Sequence, residues 1–101
     1  MEHLISEADF KFYTDVFESS KSRNYFYYQK LPNDQQDKFI ELTRMLFAYG
    51  FEQKKGPDHE LYGSLKDFQS DDPLDFLNLI FRQYPSNVES LLNSYPKYFK
   101  K

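Results

Sequence analysis

Few residues in this chain are able to do chemistry. There are two histidines, His3 and His59, and no cysteine, so disulfides and thiolate catalysis are excluded. His59 stands between two carboxylates in Asp58-His59-Glu60. A metal centre needs three or four converging ligands, and adjacent loop residues point apart. The expectation there is a solvated loop. Asp71, Asp72 and Asp75 cluster in the way carboxylates around Mg²⁺ do. A helix start accounts for them, with Asp72 as the cap and Asp75 near the positive end of the helix dipole. Three glycines, at 50, 56 and 63, do not make a phosphate-binding loop. No Ser, Thr, Tyr or Lys sits beside a histidine in a recognisable nucleophile motif. The expectation is a protein without catalytic residues, metal or cofactor.

The chemistry of binding is better represented. Eleven Phe and nine Tyr, with no Trp, make a fifth of the 101 residues aromatic. Such rings dominate cores and interfaces alike, and a domain of this length hides only about two-thirds of its unfolded surface. Tyr25-Phe26-Tyr27-Tyr28 places four rings in succession. They cannot all face one core in a helix or a strand, so Tyr25, Tyr27 and Tyr28 are candidate partner contacts. Tyr98 and Phe99, in the tail, are a second candidate pair.

Net charge is −3, and its distribution is uneven. Between Pro57 and Asp75 lie Asp58, Glu60, Asp67, Asp71, Asp72 and Asp75 against Lys66 alone. From Phe76 onward Glu89 stands against Arg82, Lys97, Lys100 and Lys101. The acidic stretch, and within it Asp58, Glu60, Asp71, Asp72 and Asp75, reads as a surface that steers a basic partner. The opposing possibility is nucleic acid, because Lys21 to Tyr28 and the tail interleave bases with rings. The last helix carries Glu89 and no Arg or Lys, which a recognition helix needs. A homodimer seam would also use surplus rings.

These residues must be positioned by helices. Val, Ile and Thr total only seven, which disfavours strands. Ser6 opens a first helix, with Phe10, Tyr13 and Phe17 at helical spacing and an end near Ser19 to Ser22. Asn24 to Lys30 reads equally as a short helix or an extended segment. Asn33, as N-cap with Gln36 at the capping-box position, opens a helix carrying Phe39, Leu42, Met45, Leu46 and Tyr49 and closing at Gly50. Lys54 to Asp58 is a turn, and a short helix is expected near Ser64 to Gln69 because Gly63 interrupts the spacing. Asp72-Pro73 starts a helix that Pro85 stops. Ser86-Asn87-Val88-Glu89 is a capping box for the last helix, which forms a hairpin or corner with the one before it. The expected fold is one all-α domain of four to five short helices, with residues 1–5 and 97–101 as flexible termini. The first residues have neither a basic region nor an apolar core of the signal-peptide type. The longest hydrophobic run, Met45 to Phe51, is far below a membrane span. A cytoplasmic protein is expected.

Overall fold

The computed structural model describes residues 5–53 and 58–95. Within them five α-helices and one 3-10 turn pack around a shared core, with no strand. Helix α1 is Glu7–Lys21, α2 Asn33–Gln53, α3 His59–Lys66, α4 Pro73–Gln83 and α5 Pro85–Ser94, and the 3-10 turn is Tyr27–Lys30. The Cα radius of gyration, 12.7 Å, matches the ~13 Å of a folded domain this long.

Local chemistry sets two helix starts as the sequence indicates. Ser6 caps α1, its Oγ accepting from the Asp9 N–H at 3.1 Å. Asp72 caps α4, its Oδ1 accepting from the Leu74 N–H at 3.0 Å, with Pro73 in the first turn. Two other starts differ. The backbone N–H groups of Gln35 and Gln36 reach Pro32 O, so Asn33 is already inside α2. Helix α5 begins at Pro85, after a single residue, Tyr84, which has no side-chain cap. Ser86 is therefore not its N-cap. Proline's fixed φ suits the first helical position, and that preference overrides the capping box one residue later.

Helix α2 does not end at Gly50 but runs on to Gln53. The glycine serves an approach between helices rather than a cap. A Cβ added at Gly50 would lie 2.6 Å from Tyr62 Cδ2 and 2.8 Å from Leu91 Cδ2. Gly63 does the converse inside α3, where a Cβ would lie 2.7 Å from Phe51 Cδ1. It therefore does not interrupt a helix, and α3 lies earlier than Ser64 to Gln69. Of the turn expected at 54–58, only Asp58 is among the described residues.

Helix α2 is the spine and packs against every other helix. Phe39 is at its centre, stacked on Tyr13 at 4.3 Å, on Phe81 at 5.7 Å and on Tyr28 at 6.1 Å between ring centroids. A second group joins Phe47 to Tyr62 and Phe76, and a third joins Tyr95 to Phe10 and Tyr49. Of the eighteen described aromatic residues ten are buried and eight partly buried. The aromatic excess is thus first a core, and only its fringe reaches solvent.

Buried hydroxyls in this core are satisfied, as burial requires. Those of Tyr13 and Thr43 hydrogen bond at 2.7 Å, and Thr43 also donates to Phe39 O. The Ile5 N–H donates to the Tyr95 hydroxyl at 2.5 Å, and Ile5 is only 3% exposed. Ile5 is therefore held in the core, while residues 1–4 and 97–101, expected to be flexible, lie outside the described residues.

Candidate binding face

The segment after α1 is held by unusual backbone. Asn24 and Tyr25 have φ of 55° and 67°. The Tyr25 N–H returns to Ser20 O at 2.6 Å, closing the helix in the manner of a Schellman turn. Asn tolerates the left-handed conformation, but for a bulky Tyr it is an outlier that surrounding structure must enforce. The Tyr25 ring provides that enforcement, lying 5.9 Å from Phe17 and 6.5 Å from Phe81.

This turn sorts the four consecutive rings. Tyr28 is fully buried, and its hydroxyl donates to Asn78 Oδ1 at 2.5 Å. Burial also raises the Tyr28 phenol pKa well above its ordinary value. Tyr28 is therefore a core residue, which corrects its reading as a surface contact. Tyr25, Phe26 and Tyr27 are partly exposed. The guanidinium of Arg23 lies 4.9 Å from the Tyr27 ring, and that of Arg82, on α4, lies 6.0 Å from the Phe26 ring.

The same helix carries the acids at its other end. Asp71, Asp72 and Asp75 are exposed at the start of α4. Asp75 accepts from Ser70 Oγ at 2.6 Å. Asp75 and Arg82 are seven residues apart, roughly 10 Å along the axis and on one side of the helix. Helix α4 thus joins Asp75 to the Phe26 ring through Arg82. Asp58 and Glu60 lie elsewhere, at the start of α3. Asp58 accepts from Asn87 Nδ2 of α5 at 2.8 Å, while Glu60 is exposed. Tyr98 and Phe99 lie outside the described residues.

Between α2 and the start of α4 runs a groove of about 180 Å³. Asp37, Ile40 and Arg44 form its α2 wall, and Asp72, Pro73 and Phe76 its α4 wall. Arg44 also borders a shallower groove of about 260 Å³, formed with Glu41, Met45 and the end of α3. Its guanidinium sits 4.3 Å from the Phe76 ring and donates to Lys66 O at 2.9 Å, tying three helices together. Asp34, Asp37 and Glu41 recur at three and four residues along one side of α2. Among the described residues none of these three, nor Asp71, Asp72 or Asp75, forms an ion pair. Sequence reasoning missed Asp37 and Glu41, although their like-charge spacing, mildly destabilising in a helix, was a signal.

His59 is not in a solvated loop. It begins α3, half-buried, with its ring stacked on Phe51 at 4.8 Å and 5°. Among the described residues no three His, Asp or Glu side chains are grouped to hold a metal ion. No helix among them is long and apolar enough to cross a membrane. Comparison with protein-family models, with curated proteins and with solved structures gives no match.

Proposed function

We propose that this chain is a non-enzymatic, cytoplasmic protein-binding module that occludes a surface of its partner, in the manner of an inhibitor, immunity protein, adaptor or regulatory subunit. The observation that carries the reading is the composite face along α4. At one end Phe26 and Tyr27 stand at the surface, each beside an arginine. At the other, Asp37 and Asp72, carboxylates without an ion pair among the described residues, border a groove with Ile40 and Pro73 in its lining. Tyr and Arg are the residues most enriched among interface anchors. Unpaired acids around them steer a basic partner and raise its rate of encounter.

The alternative is nucleic acid held by the segment from Lys21 to Tyr28, and Arg23 beside Tyr27 favours it. Two of its elements are otherwise engaged. Lys21 is bound to Glu18 and Glu89, and Tyr28 is buried. A third reading, a homodimer using the partly exposed rings as a seam, requires a molecular mass that rises with concentration.

The test is capture by the tagged chain from lysate, with and without nuclease. The proposal expects one nuclease-resistant, near-stoichiometric protein. Recovery of nuclease-sensitive material alone would replace it with the nucleic-acid reading.

A further inference from the structure

The groove between α2 and α4 is lined by both apolar and acidic residues. Ile40 and Pro73 supply apolar surface beside the buried Phe76, and Asp37 and Asp72 stand at its walls without an ion pair among the described residues. The one cation in its lining, Arg44, is committed to the Phe76 ring and to Lys66 O. At about 180 Å³ the groove holds a side chain rather than a helix. A lysine or arginine lays its methylene stem along apolar surface while its head stays in a polar setting.

We propose that this groove seats one Lys or Arg of a basic, partly apolar segment of the partner protein, with its stem over Ile40 and Pro73 and its head at Asp37 and Asp72. The adjoining groove at Met45 then takes an apolar neighbour of that residue. This inference rests on the reading of the chain as a protein-binding module and names the chemistry of the partner. Charge complementarity favours the choice: two carboxylates against Arg44 leave the lining net negative, and Asp34 on α2 with Asp71 and Asp75 around the start of α4 adds to it, which disfavours a phosphate-bearing ligand.

The test uses the full chain, isotope-labelled, titrated with three short synthetic peptides. One alternates Lys and Leu at helical spacing, one replaces Lys by Glu, and one replaces Leu by Ser. The Lys/Leu peptide is expected to shift the amides of Asp37, Ile40 and residues 72–76 and to bind more tightly than the other two. The double variant D37N/D72N, which keeps an N-cap acceptor at position 72, is expected to weaken it about tenfold or more. The variant D15N/E18Q removes as much charge from α1 and is expected to weaken it less than about twofold. Equal weakening by both double variants would overturn the inference, because it would reduce the binding to overall charge. Equal binding of the Glu/Leu peptide, or shifts confined to Phe26 and Tyr27, would overturn it too. So would shifts of the groove amides with chain concentration alone, which would give the groove to a second copy. The two readings fail separately. A captured partner lost from F26S/Y27S but retained by D37N/D72N would sink the groove and leave the module standing.

Discussion

Where α1 meets α5, acids are held by a lysine. Lys21 reaches Glu89 at 3.0 Å and Glu18 at 3.4 Å across the rim of a groove that both acids line. Further along α1, Lys11 pairs with Asp15, and Asp9 pairs with Lys38 of α2. Where α2 meets the start of α4, a groove of similar kind has carboxylates on both walls and no ion pair at any of them among the described residues. Exposed ion pairs contribute only about 0–1 kcal/mol each. The difference is therefore not chiefly one of stability. One side holds its acids in ion pairs, whereas the other leaves its carboxylates without one, and open carboxylates are what a partner of opposite charge meets.

The first way to break the comparison is to remove what the two sides share. Phe39 stacks on Tyr13 of α1 and on Phe81 of α4. Phe39→Ala is expected to cost about 3–5 kcal/mol and to abolish both faces in one denaturant transition. Separate loss of one face would show that they fold independently.

Alkaline pH acts on both sides as well. Burial raises the phenols of Tyr13 and Tyr28 above their ordinary value. The unfolded chain releases those protons near pH 10, while the folded chain still holds them. Stability from this source is complete below pH 10 and falls as the pH rises beyond it, by about 1.4 kcal/mol per unit for each phenol. Denaturant midpoints measured from pH 8 to 12 check the slope. A flat profile through pH 11 would contradict the burial of these rings.

Smaller effects sharpen the contrast between faces because they have opposite signs. Lys21→Gln removes the match to Glu18 and Glu89 and is expected to destabilise by less than about 1 kcal/mol. Asp37→Asn removes a charge that stands among like charges and is expected to stabilise by a few tenths of a kcal/mol. Added salt should shrink both differences. Midpoints that move in the same direction for the two variants would erase the distinction.

Much of the fold was legible because it is local. Ser6 and Asp72-Pro73 cap their helices through atoms two or three residues away, and the spacing of Phe39, Leu42 and Leu46 marks the buried side of α2. What was misread is non-local. Gly50 carries the residue type of a helix end, yet its missing Cβ makes room for Tyr62 and Leu91. Tyr25 to Tyr28 has no readable period because two left-handed residues turn the chain there, and Tyr is not a residue that announces such a turn. The candidate face was half legible. Asp72, Asp75 and the rings at 25 and 27 were candidates from sequence. Asp37 was not among the candidates, and only folding sets it across a groove from Asp72.

The most direct measurement compares capture of a protein partner by the intact chain and by one double variant of each side. Phe26→Ser with Tyr27→Ser, which removes the ring beside Arg82 of α4 and its neighbour, is the α4-side variant, and Lys11→Gln with Lys21→Gln is the α1-side variant. All three chains are checked for equal helicity, and nuclease is present throughout. The α4-side variant is expected to lose the partner and the α1-side variant to keep it. Retention by the α4-side variant, or loss confined to the α1-side variant, would contradict the claim that the α4 face does the binding.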